Sequence, residues 1–456
     1  MHSKISDRIL NDERVKSILN YKSDKNLLVT GVNDDFKPVL MKELASNSNR
    51  PHVVFVENNH HMEKLANSMM DVMDNVYTFP VGDIMIESLS KQSPDFMKAR
   101  MTALYALAHE KPGLFIVPVH GLLKPLMPKE KLLSYERTLK LGGTVDYDEL
   151  IEFLVSLGYK RMSQAANFGE FAVRGDIFDI YMHDAFLRLE LFDDEIDSLR
   201  LIDPESQRSL ENIDSITLEP YAEYIVEASE REELLSKIDE LYENTKANLE
   251  GVTKEALEEY YDVVTHPDQL VNHLAQFAHL LDEHDKSLID YLTPAHRVFI
   301  DDVNALKTSY DAEFEAVNNY FSSVLEARQM FSGGQNYLEG QYERLLGIKG
   351  VTYFNLFMKS MPVPIGEMIK ISVKPTEIYY GQYDILASNL NGMLENDYLI
   401  NIILRDEDEL NKTKQLLEDL KIPSFIEDIP ENSGIVLTVG SMATGFILPY
   451  MSAAIL

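Results

Sequence analysis

The sequence predicts an α/β protein built on a parallel sheet, with a small α+β unit inserted into it and a second α/β unit after it. Short apolar runs at 27–30, 53–56 and 114–119 are separated by helical patterns, which is typical of a parallel sheet. Between about residues 121 and 220 the pattern changes to short alternating segments, which indicate antiparallel strands. The run "HRVFID" at 296–301 then returns to the first style.

The predicted helices can be placed in order along the chain. Helical patterns occupy 37–46, 60–73 and 97–110, each after one of the apolar runs or before the next. The inserted unit opens with a helix, because Asp146 is a suitable N-cap and Glu149 stands three residues further on, as in a capping box. We therefore expect helices to cover the first sheet and at least one helix to cover the inserted strands.

The remaining sequence has an acidic helical stretch up to about residue 285 and a long helix near 308–330. After residue 350, the segments "YLINIILRD", "NKTKQLLEDLKI" and "GIVLTVG" predict the second α/β unit. These changes of pattern divide the chain into four segments, 1–120, 121–220, 221–345 and 346–456.

Composition restricts the class of protein. The 456 residues have a formal net charge of -33, so the chain as a whole repels a nucleic-acid backbone. That charge is compatible with docking to basic protein surfaces and with simple solubility.

The sequence contains no cysteine, which excludes disulfides and thiolate metal sites. No apolar run is long enough to span a membrane, and the N-terminus is not typical of a signal peptide, so we expect a cytoplasmic protein.

The turn "GVNDDFKP" lies where nucleotide-binding folds place a phosphate loop. A working loop needs several glycines, a lysine for the β- and γ-phosphates and a hydroxyl for magnesium. Here only Gly31 and Lys37 resemble that pattern, while Asp34 and Asp35 bring negative charge and Pro38 replaces the hydroxyl. Proline is favourable in the first turn of a helix, and carboxylates stabilise a helix N-terminus. The sequence therefore predicts a degenerate site that binds no nucleotide.

A second position agrees with this interpretation. Magnesium-dependent folds place an acidic pair after an apolar strand, and "RVFIDDVNAL" offers Asp301 and Asp302 there. An aspartate after a strand is common, and Asp301 could hold magnesium only if phosphates shared the ion. We predict no catalytic residue, no bound cofactor and no metal site. The acidic cluster at 193–200 is not expected to bind a metal because it lacks calcium-loop spacing. The histidines of "NHH" are not expected to do so because they need further ligands.

The segment "FGEFAVRGDIFDIY", followed by "LFDDEIDSLRLIDPESQRSLENIDSITLEP", resembles the N-terminal part of the bacterial transcription-repair coupling factors, the Mfd family. The match is dense over about 168–220 and weaker elsewhere. The family's N-terminal region is similar to UvrB, a nucleotide excision repair protein. The resemblance implies a UvrB-like split parallel-sheet domain, with 1–120 as domain 1a and 221–345 as domain 1b. Residues 121–220 would form the inserted domain 2, and 346–456 a domain 3 of unknown role.

The resemblance also implies which activities are present and which are lost. The family is known for a degenerate ATP site in this region, in agreement with the two positions described above. UvrB holds DNA with a long aromatic hairpin, but the matching stretch 77–97 is short and has only Tyr77, Phe79 and Phe96 as aromatics. A whole coupling factor also carries an RNA-polymerase-interaction domain, an ATP- and Mg²⁺-dependent DNA translocase and a C-terminal autoinhibitory domain. We expect this chain to be a fragment without those parts.

The expected partner is UvrA, recruited by domain 2. The resemblance places the contacts on Arg174, Arg188 and Phe192. Strand alternation supports this, because Arg188, Glu190 and Phe192 share one face while Leu187, Leu189 and Leu191 share the other. Arginine and aromatic residues are enriched at binding hot spots. The alternative is that Arg174 and Arg188 pair with Asp176, Asp179 or Glu190 inside the sheet and that Phe192 is buried.

Three functions remain open from the sequence. The first is a non-catalytic adaptor that brings UvrA to RNA polymerase stalled at DNA damage. The second is an ATP-dependent repair enzyme of the UvrB type, which would need Lys37 to bind nucleotide. The third is a structural or autoinhibitory module that binds the C-terminal domain of its own full-length chain.

Overall fold

A computed structural model gives the fold of the chain. It describes residues 3–70, 73–82, 92–182, 185–204, 206–247, 252–266, 270, 273–274, 276–281, 286–377, 379, 381–426, 433–440 and 444–456. Residues 83–91, in the centre of the stretch matched to the aromatic hairpin, lie outside the described part.

The strands lie, in chain order, at β1 (Asn26–Thr30), β2 (Pro51–Val56), β3 (Val76–Thr78), β4 (Gly113–Pro118), β5 (Arg137–Lys140), β6 (Lys160–Met162), β7 (Glu170–Arg174), β8 (Ile177–Tyr181), β9 (Phe186–Phe192), β10 (Glu195–Ile202), β11 (Ser209–Asn212), β12 (Ser215–Leu218), β13 (Arg297–Asp301), β14 (Thr352–Asn355), β15 (Ile365–Lys370), β16 (Lys374–Pro375), β17 (Leu399–Leu404), β18 (Ser424–Phe425), β19 (Gly434–Val439), β20 (Phe446–Leu448) and β21 (Ala453–Ile455).

The α-helices lie at α1 (Ser3–Asn11), α2 (Glu13–Leu19), α3 (Lys37–Ser46), α4 (Asn59–Met70), α5 (Pro94–Ala108), α6 (Lys129–Ser134), α7 (Tyr147–Ser156), α8 (Ala228–Lys246), α9 (Val252–Thr265), α10 (Val303–Glu326), α11 (Gln341–Leu346), α12 (Tyr383–Glu395) and α13 (Glu407–Asp419). The helices predicted at 37–46, 60–73, 97–110 and 308–330 are confirmed as α3, α4, α5 and α10, with their ends shifted by a few residues.

The first sheet contains the predicted apolar runs. Its strands lie in the order β15, β1, β14, β13, β2, β4, β3, and each neighbouring pair is parallel. Strands β1, β2 and β4 are buried along their whole length, as expected for a parallel sheet that is covered on both faces. β13 lies between β14 and β2, so the chain rejoins the first sheet after the insertion, as expected.

The predicted beginning of the last unit at residue 346 is wrong. β14 and β15 both pair with β1 and therefore belong to the first sheet. β14 is buried at every position. A short apolar run has the same character in either sheet, so its composition could not tell which sheet it joins. In the structure the last sheet begins only with β16.

The inserted unit is an antiparallel sheet covered by one helix. Its strands lie in the order β11, β10, β9, β8, β7, β6, antiparallel except for the parallel pair β6 and β7. The Asp146 carboxylate accepts a hydrogen bond from the Glu149 N–H at 2.8 Å, so the predicted N-cap of α7 is confirmed. The carboxylate of Glu149 pairs with Arg137 at 2.8 Å. The Tyr147 ring of α7 contacts Phe178 of β8, 5.2 Å between ring centres, on the buried face.

The segment that leaves the inserted unit is fixed by buried polar contacts. Arg100 of α5 is 2% exposed and binds the Glu223 carboxylate through Nε at 2.9 Å and Nη2 at 2.5 Å. Its Nη1 donates to the Pro80 carbonyl at 2.9 Å, and the guanidinium lies 4.0 Å from the centre of the Phe79 ring. The Tyr224 hydroxyl donates to the Pro125 carbonyl at 3.0 Å. Both chain crossings between the two units are therefore tied to the first domain.

Two further cores complete the fold. Helices α8 and α9 pack around a small core of their own, formed by Leu234, Ile238, Tyr242, Leu257, Val264, Leu270, Phe277, Leu281 and Phe331. The last sheet has the order β16, β20, β21, β17, β19, β18, and residues of α12 and α13 pack in the core on one of its faces. Its other face shares a core with α1, α2, β1 and α3. Within the described ranges, no helix is both long enough and apolar enough to cross a membrane.

Candidate functional site

The turn after β1 is shaped by close backbone packing. Gly31 has a φ of +81°, and a Cβ atom there would lie 1.9 Å from the Ile371 carbonyl oxygen. The Gly31 N–H donates to the Asn355 and Leu356 carbonyls, both at 3.1 Å. A glycine is therefore required by the neighbouring segment, and its N–H is already used within the protein.

Lys37 is enclosed by carboxylates of the protein. Its side chain is 8% exposed, and Nζ lies 2.7 Å from Oδ1 of Asp301 and 3.0 Å from Oδ1 of Asp34. Nε2 of His61 lies 3.3 Å from Oδ2 of Asp301, and Nζ of Lys64 lies 3.1 Å from Oδ2 of Asp34. The positive charge of Lys37, which a bound phosphate would neutralise, is already neutralised by carboxylates of the protein. The structure thus brings Gly31, Lys37 and Asp301 to one edge of the sheet, where parallel sheets usually bind ligands, but joins the last two to each other.

The electrostatic contacts of this network favour the charged forms of Lys37 and Asp34. Burial acts against the charge of Lys37, but Asp301 and Asp34 outweigh it and raise the pKa of the ammonium. Burial likewise opposes ionisation of Asp34, but Lys37 and Lys64 lower the pKa of its carboxyl from 3.8 to about 2. Both shifts favour the ion-paired form at neutral pH.

We expect the Asp34 carboxyl to titrate well below pH 3.8. Because its pKa is lower in the folded chain, its ion pairs stabilise the fold above pH 3.8, and this contribution is lost as the pH falls towards 2. An NMR titration of the Asp34 side-chain carboxyl carbon measures the midpoint. Lys64→Ala should raise that midpoint. A midpoint at or above 3.8 in the unchanged chain would contradict the ion-pair account.

Among the described residues, the helix that follows the turn begins without a hydrogen bond from its first N–H groups to the side chains of the aspartates. The Phe36 N–H donates to the Asn33 side-chain oxygen at 3.1 Å, and α3 begins at Lys37 with a proline in its first turn. Asp35 accepts hydrogen bonds from the Asn33 amide and from the Thr444 hydroxyl of the last unit. The Phe36 ring also contacts Phe446, with centres 5.1 Å apart. Residues of the last unit therefore contact the turn directly.

Asp302 begins a helix. It adopts a left-handed backbone, with a φ of +46°, and its Oδ1 accepts hydrogen bonds from the N–H groups of Asn304 and Ala305, both at 3.2 Å. Its other oxygen lies 3.1 Å from Nζ of Lys359. Both carboxylates after β13 are therefore engaged by groups of the protein.

The aromatic residues of the stretch matched to the UvrB hairpin are packed against the first domain where the structure describes them. Phe79 is 2% exposed and lies beneath Arg100, while the Tyr77 ring stacks on Phe115 with centres 4.6 Å apart. Phe96 is half-buried in α5.

One group of side chains that could act as metal ligands lies elsewhere. It consists of His109, Glu136 and Glu219, whose ligand atoms lie within 4.8 Å of one another among the described residues. Its histidine already pairs with Glu136 at 2.6 Å.

The exposed face of the six-stranded sheet has the alternation predicted from the sequence. Along β9, Leu187, Leu189 and Leu191 are buried, while the residues between them are partly exposed. The side chain of Phe192 ends the strand and is 77% exposed. In β8, Ile177 pairs with Glu190 across the strands and is 36% exposed. The face therefore presents two apolar side chains at one end.

Two arginines meet at one buried carboxylate on this face. Nε and Nη2 of Arg188 donate to the two oxygens of Asp179 at 2.6 Å and 2.9 Å. Nη2 of Arg174 lies 3.6 Å from the same carboxylate. Asp179 itself is only 3% exposed, so the pairs compensate a carboxylate that would otherwise be costly to bury. The hydrogen bonds to Asp179 raise the pKa of the Arg188 guanidinium.

The alternative, pairing within the sheet with a buried Phe192, is confirmed only in part. The arginines pair with Asp179 inside the sheet, as the alternative expected, but Phe192 is exposed and not buried. Arg174 keeps 58% of its side chain exposed, whereas Arg188 keeps 22%. Arg200 of β10 pairs with Glu190 of β9 on the same face.

Sequence reasoning missed the pairing of Arg100 with Glu223 and the contact of Thr444 with Asp35. The two members of each pair lie far apart in the sequence, and no local pattern connects them. Asp179 was named only among three possible acids. A carboxylate between two apolar residues, here Phe178 and Ile180, on a predicted strand is a signal that a cation faces it.

Comparison with known proteins identifies the inserted unit. Residues 138–224 match the family model of the UvrB interaction domain. The whole chain is 33% identical over 467 residues to a transcription-repair-coupling factor of Staphylococcus haemolyticus, and covers 40% of that protein. A transcription-repair-coupling factor of Staphylococcus aureus strain MRSA252 is 32% identical over 459 residues, with 98% of the chain and 39% of that protein covered.

A solved structure of S. tokodaii Xpd4 aligns with 96% of the chain and 80% of its own length, but at 11% identity and a TM-score of 0.25. A similarity at that level gives no information about the fold or the function of this chain. The chain spans about two-fifths of the length of the curated relatives it matches. It is homologous over its whole length to the N-terminal region of the transcription-repair-coupling factors, and its residues 138–224 match the UvrB interaction domain.

Proposed function

We propose that this chain recruits UvrA through the exposed face of its six-stranded sheet and works as a non-catalytic adaptor. The observation that carries the proposal is Phe192, a large apolar side chain that is 77% exposed on the sheet face that also carries Arg174 and Arg188. It lies within the match to the UvrB interaction domain. Aromatic and arginine side chains on one exposed face are the usual composition of a binding hot spot.

The three proposed contact residues differ in what they offer a partner. Phe192 would enter an apolar pocket. Arg174 is mostly exposed and touches Asp179 only at 3.6 Å, so its guanidinium can turn towards a carboxylate of the partner. Arg188 has two of its nitrogens bound to Asp179 and would contribute through the remaining edge of its guanidinium.

We propose no nucleotide or metal for this chain. Lys37 is neutralised by Asp301 and Asp34, and Asp302 is used as a helix cap, which supports loss of ATP binding. In a full-length protein of this family, ATP and Mg²⁺ would serve a DNA translocase outside this chain. RNA polymerase and DNA would be contacted through those other parts, and a C-terminal domain would cover the same face of the inserted unit.

The proposal is tested by measuring the affinity of the chain for purified UvrA. We expect saturable binding that is lost when Arg174→Ala, Arg188→Ala and Phe192→Ala are combined. Binding that survives the triple variant would disprove the surface assignment. Absence of binding by the unchanged chain would disprove the adaptor function and favour the structural module.

Titration calorimetry with ATP and magnesium tests the competing function, an ATP-dependent enzyme of the UvrB type. We expect no binding heat. Saturable micromolar binding that Lys37→Ala abolishes would overturn the interpretation of the turn after β1. Because Lys37→Ala leaves Asp301 with fewer partners, folding of the variant is checked by circular dichroism.

A further inference from the structure

We infer that Asp179 is a positioning residue of the partner-binding face, which fixes Arg188 and restrains Arg174 before the partner arrives. The inference rests on the proposed function and adds a residue to it. Asp179 lies in β8, between the strands that carry the two arginines, and is directly opposite Arg188 in the register. At 3% exposure its side chain has little surface to offer a partner.

The contact with Arg188 has the geometry that fixes an arginine. Two parallel hydrogen bonds, of 2.6 Å and 2.9 Å, join Nε and Nη2 to the two carboxylate oxygens. Such a two-point contact sets the plane of the guanidinium as well as its position. Nη2 also lies 3.3 Å from the side-chain oxygen of Gln207, which supports the same orientation from the other side.

Fixing the side chain in the free protein favours binding. An arginine loses considerable side-chain entropy when it is immobilised in a complex. Here the pair with Asp179 immobilises Arg188 during folding, so that loss is not incurred again on association. Because Nε and Nη2 face Asp179, Nη1 lies on the opposite edge of the guanidinium, and within the described residues no hydrogen bond from Nη1 is found.

Arg174 is held more loosely by the same carboxylate. Its distance of 3.6 Å is an ion pair without a short hydrogen bond, and 58% of its side chain is exposed. A single carboxylate therefore serves two cations and keeps them on one side of Phe192. Removing its charge should affect both arginines, while the apolar contact of Phe192 stays intact.

The test is Asp179→Asn, which keeps the shape of the side chain and removes its charge. We expect UvrA to bind the variant about tenfold more weakly, a loss typical for one charge-assisted contact. The same substitution in a chain that carries Arg174→Ala and Arg188→Ala should change the remaining affinity less than about twofold, because a positioning residue acts only through the groups it positions.

A spectroscopic readout follows the geometry directly. The ¹H–¹⁵N signal of the Arg188 Nε–H group should be sharp and slow to exchange in the unchanged chain, and broadened or lost in Asp179→Asn.

Arg188→Lys provides a second variant that keeps a charge near Asp179 but cannot form the two-point contact, and we expect a similar loss of affinity. Asp290→Asn is the matched control, because Asp290 pairs with Arg344 at 2.8 Å outside this sheet and should leave UvrA affinity unchanged.

The outcomes separate this inference from the function on which it rests. If the unchanged chain binds UvrA and Asp179→Asn binds equally well, the positioning role is wrong and the adaptor function stands. A tenfold loss that persists in the background without the arginines would also overturn it, since Asp179 would then act through the sheet in general. If the unchanged chain binds no UvrA, both the function and the inference fail.

Discussion

Glu223→Gln is expected to lower the free energy of unfolding by about 3–5 kcal/mol, since it leaves the Arg100 guanidinium charged and buried with no opposite charge. Both side chains are 2–3% exposed, and two hydrogen bonds of 2.5 Å and 2.9 Å join them. The pair connects α5 with the segment that leaves the inserted unit. The measurement is urea unfolding followed by circular dichroism.

The controls separate loss of the pair from loss of charge. Replacing both partners with apolar residues of similar size, Arg100→Met with Glu223→Leu, should cost much less than the single change, because no buried charge remains. Arg405→Gln removes an exposed ion pair, with 85% of the arginine side chain in solvent, and should change stability by less than about 1 kcal/mol. Equal costs for Glu223→Gln and Arg405→Gln would refute the role of the buried pair.

Phe192→Ala is expected to weaken UvrA binding by about 2 kcal/mol or more, which is about thirtyfold, with no measurable loss of stability. The ring is 77% exposed, so its removal creates no cavity in the free chain. Buried in a pocket of a partner, the same ring would remove apolar surface from water on association. Calorimetric titration with UvrA measures the affinity, and thermal unfolding measures the stability.

Phe357→Ala is a matched control for this change. Phe357 is 67% exposed and lies just after β14, outside the inserted unit. Its removal should leave UvrA affinity within a factor of about two. Equal loss in both variants would indicate non-specific apolar attraction and not a defined pocket for Phe192.

The turn after β1 and the end of β13 have a structural role in this fold. Lys37, Asp34 and Asp301 join α3 to the end of β13, and the last unit contacts the turn through Thr444 and Phe446. Placing a hydroxyl and glycines in the turn is therefore not expected to create a phosphate site, because the Lys37 ammonium is engaged by Asp34 and Asp301. That part of the molecule now contributes to packing between units.

Much of the fold could be predicted because its signals are local. Buried parallel strands such as β1 and β4 appear as continuous apolar runs, and α7 begins with a recognisable N-cap. The alternation along β9 also assigned Leu189 to the core and Phe192 to the surface correctly. That the turn after β1 binds no nucleotide stays a prediction, which rests on Asp34, Asp35 and Pro38 because their chemistry conflicts with phosphate binding.

The rest depended on contacts between distant segments. The sequence alone determined the class of fold and the insertion, because periodicity and side-chain chemistry act locally. Only the tertiary structure decided that β14 joins the first sheet, that Arg100 meets Glu223, and that Arg174 and Arg188 share Asp179. Strand neighbours and ion-pair partners are set by which surfaces meet when the chain is compact, and nothing in the local sequence fixes that choice.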